Sequence, residues 1–244
     1  MISISKRELF IKSWELFKNN AQFFFNVGIL LFTIQHMIPI MIGMFFVPYS
    51  MPYFIFHLAY LLVTTGISLW VMMQILKVLR SQPTDSFKNL FQYFPLVFRA
   101  IGGSFIITFG LVMIGIIIFT IFSDQMNIDF ETATLEVIIG AITSSTMLSV
   151  IALGYFMGAS YLWVKAYFFI YYIIDKDMGA LASIKYSLHA TGGYEADLFI
   201  IWVATVVMNF VGILLYGIGL MFTLPYTLIV LSMFYARYLS EPQK

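Results

Sequence analysis

The chain alternates six long apolar runs with short polar segments, and all 13 Lys and Arg residues fall in segments that can lie on one side of a membrane. Each run holds about 20 residues or more, the length a helix needs to cross a hydrocarbon layer about 30 Å thick. Hydrophobic residues make up 61% of the chain and charged residues 10%, against about 45–50% and 25% in a soluble domain. A water-soluble core has no use for six such runs. Inside lipid a backbone must satisfy its own hydrogen bonds, so the runs have to be helices. The expected fold is all-α: one integral membrane domain over residues 1–244, with six transmembrane helices.

With the N-terminus on the cytoplasmic side, the inner segments hold Lys6, Arg7, Lys12 and Lys18, then Lys77, Arg80, Lys88 and Arg99, then Lys165, Lys176 and Lys185, and finally Arg237 and Lys244. The outer segments hold no cation, and their charges, Asp124, Asp129, Glu131 and Glu136, are all acidic. Cationic residues concentrate on the cytoplasmic side of membrane proteins, so both termini are expected there. A net charge of +1 with no basic stripe argues against a nucleic-acid partner. The lack of Cys removes disulfides, thiolate nucleophiles and Cys-based metal sites. The first 20 residues are charged, and the apolar run behind them is too long for a signal peptide. The first span is therefore expected to stay in the membrane.

Three amphipathic segments are expected on the cytoplasmic face. In the first, 5–19, Ser5 and Glu8 form a capping box. Glu8, Lys12, Glu15 and Asn19 share a polar face opposite Leu9, Phe10, Trp14, Leu16 and Phe17, the pattern of a helix lying in the interface. Span one, 22–47, contains Pro39, which removes a backbone hydrogen bond and predicts a kink. Span two covers 53–79. The second amphipathic segment, 84–94, carries Phe87, Leu90, Phe91 and Phe94 at helical spacing, and Pro95 should separate it from span three, 100–122. From Leu135 to Ile174 the apolar pattern runs 40 residues, about 60 Å as one helix and too long for one crossing. Projection beyond Trp163 is favoured over a break at Gly158-Ala159-Ser160, because Lys165 would then snorkel at headgroup level. Asp175-Lys176-Asp177 offers an N-cap for the third amphipathic segment, 179–191. Its apolar stripe is Leu181, Ile184 and Leu188, and Gly192-Gly193 ends it. Span five covers 198–216 and span six runs to 238. Three units result, 1–80, 81–175 and 176–244, each an interfacial helix followed by a hairpin. A threefold duplication stays open on the match of Ile11-Lys12 to Ile184-Lys185.

The string 174–188, Thr191-Gly192-Gly193, the tail Gly212, Gly217, Gly219, Pro225 and Tyr235, and Ser13-Trp14-Glu15-Leu16-Phe17-Lys18-Asn19-Asn20 together resemble a superfamily of six-span bacterial membrane proteins. It includes the YciC-type inner-membrane proteins and the membrane domain fused to some glycerophosphodiester phosphodiesterases. The resemblance implies the fold and a bacterial cytoplasmic (inner) membrane location. It carries over no catalytic residue, since the phosphodiesterase chemistry of fused members resides in a separate soluble domain.

A charge at mid-membrane costs at least about 2.5–3.5 kcal/mol and marks an ion or proton path; here no Asp, Glu, Lys or Arg lies near the centre of a span. His36, His57 and His189 lack the spacing of a metal site, and Gly158-Ala159-Ser160-Tyr161 lacks the final glycine of an intramembrane serine-protease motif. No catalytic, cofactor-binding or metal residue is expected. The candidates that remain are of three kinds. Gly154 and Gly158 form a small-xxx-small step suited to helix packing, inside the bundle or in a homo-oligomer. Gln35, His36, Gln74 and Asn209 are candidates to line a cavity. Lys6, Arg7, Lys12, Lys18, Lys88, Arg99, Lys165 and Lys185 are candidates for lipid headgroups, each adding about 1 kcal/mol of attraction near an anionic surface.

The expected function is therefore non-catalytic, in envelope or lipid homeostasis or in a membrane complex, with membrane lipids as partners and no cofactor. A transporter or channel component lined by Gln35, His36, Gln74 and Asn209 is the alternative, and an intramembrane enzyme a weaker one.

Overall fold

The computed structural model describes residues 5–48, 50–123, 146–215 and 217–240. Among them every regular element is helical. Five helices are long and apolar enough to cross a membrane: Ala21–Phe45, Met51–Leu79, Phe87–Ile118, Glu195–Leu214 and Leu220–Leu239. The acidic outer loop and the expected start of span four near Leu135 lie outside the described residues, as do Gly140, Ser144, Ser145 and Lys244.

Helix α1 (Lys6–Asn19) opens on Ser5, whose hydroxyl accepts from the Glu8 amide at 3.3 Å. A bend at Asn20 leads into the first long helix, built from α2 (Ala21–Phe32), a π turn (Thr33–Met37) and α3 (Ile38–Phe45). Pro39 accounts for the π turn: it has no amide, and its ring crowds the carbonyl four residues back, at Gln35. Helix α4 (Met51–Leu79) returns. A 3₁₀ turn (Phe87–Tyr93) then runs directly into α5 (Phe94–Ser123). Pro95 does not separate the two, since a proline in the first helical turn has no bond to lose.

The apolar stretch ending at Ile174 resolves differently from either expectation. Helix α6 (Thr146–Tyr167) passes through Gly158 unbroken, and the chain turns at Phe168 into a short helix α7 (Phe169–Lys176). Phe168, Phe169, Tyr171, Tyr172 and Ile173 are all almost fully buried. This segment is apolar because it is the centre of the core, not because it projects. Asp177 ends α7 in the left-handed region at φ 52° and is not an N-cap; Asp tolerates that region better than most residues. Gly179 holds the N-cap position of α8 (Ala180–Ala190), and Gly193, at φ 84°, lies in the turn behind it. Helices α9 (Glu195–Leu214) and α10 (Leu220–Phe234) follow, and a second π turn (Tyr235–Leu239) ends the described chain.

Helix α1 docks on α10 along Leu9, Ser13 and Phe17, while Trp14 and Ile11 stay exposed. On α8 Ser183, Ile184 and Ser187 point inward, while Leu181 and Leu188 of the apolar stripe are exposed. The inward serine works, because Ser187 Oγ donates to the Lys165 carbonyl at 2.7 Å and satisfies an orphan acceptor at the end of α6. Close approaches occur at glycines the sequence pattern did not single out. A Cβ on Gly28 would stand 1.7 Å from the Met221 carbonyl oxygen, locking α2 to α10. One on Gly103 would meet the Phe169 ring at 2.4 Å. At Gly154 and Gly158 a Cβ would meet no atom within 4 Å, so among the described residues this step does not serve packing inside the bundle.

Candidate functional site

Charges at one end of the helices form a layer of ion pairs between segments distant in sequence. Its centre is Asp175, with a side chain only 6% exposed. Arg80 clamps it through both nitrogens at 2.6 and 2.9 Å, and the Tyr235 hydroxyl donates to it at 2.9 Å. Burial opposes the charged carboxylate, but the Arg80 fork and the Tyr235 hydroxyl outweigh it and hold the group below the usual carboxylate range. Arg80, Asp175 and Tyr235 come one each from 1–80, 81–175 and 176–244, so this node ties the three units together.

A second node surrounds Asp85. Lys77 lies 2.7 Å from its carboxylate, Tyr93 donates at 2.8 Å, and the Gln74 side chain accepts from the Asp85 amide at 2.6 Å. The Lys77 and Tyr93 contacts hold the Asp85 carboxyl low. Further pairs join Lys6 to Asp197, Lys165 to Glu195 at 3.1 Å and Arg99 to Asp177 at 2.5 Å. On α1, Lys12 and Arg237 share Glu8.

These pairs divide the eight cations proposed to meet headgroups. Lys6, Lys12, Arg99 and Lys165 are committed to carboxylates. Arg7, Lys18, Lys88 and Lys185 are exposed, and among the described residues no carboxylate lies within ion-pair distance of them. Each of the four sits in a stripe of exposed apolar side chains. On α1 the stripe is Arg7, Ile11, Trp14 and Lys18; on the 3₁₀ turn it is Phe87, Lys88 and Phe91; on α8 it is Leu181, Lys185 and Leu188.

Gln35, His36, Gln74 and Asn209 do not line one pathway. Gln74 is fully buried in the Asp85 node. His36 packs at a tilt against Phe32 one turn earlier, with ring centroids 5.4 Å apart. Asn209 donates to Thr227 at 3.2 Å beside a small cavity of about 220 Å³ between α6, α9 and α10. Gln35 alone reaches a groove of about 500 Å³, bounded by α4, α5 and the π turn. Tyr60, Thr64, Thr65, Ser68, Ser104 and Thr108 line it with Gln35. The signal for these hydroxyls was visible as i, i+4 spacing: Tyr60, Thr64 and Ser68 on α4, and Ser104 and Thr108 on α5.

Comparison with family models, curated proteins and solved structures returns no match. The functional reading therefore stands on the residues and their geometry.

Proposed function

We propose that the chain is a six-span protein of a bacterial inner membrane, with both termini cytoplasmic. It grips anionic lipid with its inner-face helices and serves envelope or lipid homeostasis through contacts rather than catalysis. The sixth crossing is α6, whose 22 residues span about 33 Å. The observation that carries the proposal is the coincidence of two properties at Arg7, Lys18, Lys88 and Lys185: no carboxylate partner among the described residues, and a place among exposed apolar side chains. A cation beside apolar groups suits the headgroup boundary, where the apolar part enters lipid and the charge meets phosphate. At about 1 kcal/mol each, the four contribute roughly 4 kcal/mol of preference for an anionic leaflet. The paired cations add less, because their carboxylates cancel most of the field. The resemblance to the six-span superfamily points the same way.

The test is lipid selectivity in nanodiscs, read by native mass spectrometry of retained phosphatidylglycerol against phosphatidylcholine. Replacing Arg7, Lys18, Lys88 and Lys185 with Gln should abolish most of the preference, and Lys12→Gln should leave it. Equal loss in both variants would sink the proposal. Turnover of a phospholipid or peptide bond by purified protein, lost on changing one polar residue, would overturn the non-catalytic part.

A further inference from the structure

The groove between α4, α5 and the π turn holds polar side chains that are unpaired among the described residues. The Thr64 and Thr65 hydroxyls bond back to carbonyls of α4 at 2.8 Å. Among the described residues, the side-chain polar groups of Gln35, Tyr60, Ser68, Ser104 and Thr108 make no hydrogen bond. In water this is unremarkable. Here Tyr60 to Ser68 fall in the middle of Met51–Leu79, a helix long and apolar enough to cross a membrane. Hydrocarbon offers nothing to a hydroxyl, and a polar group left unpaired there costs several kcal/mol.

We infer that this groove is a binding site for an uncharged diacylglycerol-type lipid. Among the described residues no Asp, Glu, Lys, Arg or His lines it, so a charged head would stay unneutralised at mid-membrane depth. A phospholipid of either leaflet places only hydrocarbon at this level. A neutral glyceride can sink to it, and brings one hydroxyl and two ester carbonyls. The Tyr60, Ser68, Ser104 and Thr108 hydroxyls donate to the carbonyls, and the Gln35 amide oxygen accepts from the lipid hydroxyl. The rim residues Leu61 and Phe105 are exposed, which gives the acyl chains a sideways exit into the membrane. A volume of about 500 Å³ lies within the usual range for ligand sites. A flat-ringed lipid such as a quinone fits less well, because the aromatic rings do not face each other across the groove. Phe105 stacks on Phe109 and Tyr60 meets His57 edge-on, each within its own helix.

The experiment uses the full chain in phosphatidylglycerol/phosphatidylethanolamine nanodiscs doped with a photoactivatable diacylglycerol, the crosslinked peptides being identified by mass spectrometry. Labelling should concentrate on 60–72 and 100–108, and unlabelled diacylglycerol should compete it away. Removing hydroxyls by Ser68→Ala with Thr108→Val should weaken competition about three- to tenfold per group. Ser104→Leu should fill the groove and abolish labelling. Elution profile and thermal unfolding of each variant separate groove effects from misfolding, and the near-isosteric Ser68→Ala with Thr108→Val pair keeps the test decisive if Ser104→Leu does not fold. Labelling spread evenly over lipid-facing helices overturns the inference, as does competition by phosphatidylglycerol or an isoprenoid quinone equal to that by diacylglycerol. The variant lacking Arg7, Lys18, Lys88 and Lys185 should keep its groove labelling, so this site and the inner-face proposal can fail separately.

Discussion

Replacing Asp175 with Asn removes one negative charge while keeping the shape of the side chain and one acceptor oxygen. Arg80 then loses its only partner, since no other carboxylate among the described residues pairs with it. Breaking a buried pair from one side costs about 3–5 kcal/mol, most of it from the stranded charge. Arg80 is 34% exposed, so water recovers part of its solvation and lowers the expected cost to about 2–3 kcal/mol. For a chain of this size that is a fall of roughly 5–10 °C in unfolding temperature, measurable by tryptophan fluorescence in nanodiscs. Asp177 supplies the control. It pairs with Arg99 but is 79% exposed, so Asp177→Asn should cost about 0–1 kcal/mol. Replacing the whole node with Arg80→Met, Asp175→Leu and Tyr235→Phe leaves no charge or hydroxyl stranded and should recover at least half of the loss. Equal effects of Asp175→Asn and Asp177→Asn would refute the view that burial sets the strength of these pairs.

Three further outcomes are expected. Gly28→Ala should cost at least about 1–3 kcal/mol and sharply reduce folded yield, because its Cβ would sit 1.7 Å from the Met221 oxygen and force α2 off α10; Gly154→Ala, with open space around it, should be neutral or mildly stabilising in the same assay. Asp85 and Asp175 are both held below their ordinary range, so their contribution is full above the unfolded value of about 3.9 and drains as pH falls through the lower folded values. Unfolding measured from pH 6 down to 3 should show a loss below about pH 4 that shrinks when both are Asn. A reporter active only outside the cytoplasm, fused behind the last residue, should be silent; activity there would reverse the proposed orientation.

The position and helical nature of five long apolar segments were legible in the sequence, because span length and hydrophobicity are local properties that the bilayer thickness selects directly. The π turn in the first span falls where Pro39 disturbs the backbone ladder. Segment identity in the second unit was less legible. The run ending at Ile174 reads as membrane by composition, yet Phe169, Tyr171, Tyr172 and Ile173 are buried in the protein core. An apolar residue scores the same whether lipid or protein covers it. For the same reason the face of α8 that packs on the protein was not legible in its apolar stripe: Leu181 and Leu188 can meet lipid, while Ser187 finds its acceptor only once α6 ends beside it.

What the sequence by itself determined was the all-helical class and the gathering of thirteen cations into segments that can share one side of a membrane. Which of those cations are free was decided only by tertiary structure. Lys12 and Lys18 lie on one helix with similar flanks, yet Glu8 neutralises the first and nothing described neutralises the second. The partners of Lys6, Arg80, Arg99 and Lys165 stand 30 to 191 positions away along the chain. Sequence places charge along a line, whereas ion pairing depends on separation in space, and the folding of the helices sets that separation.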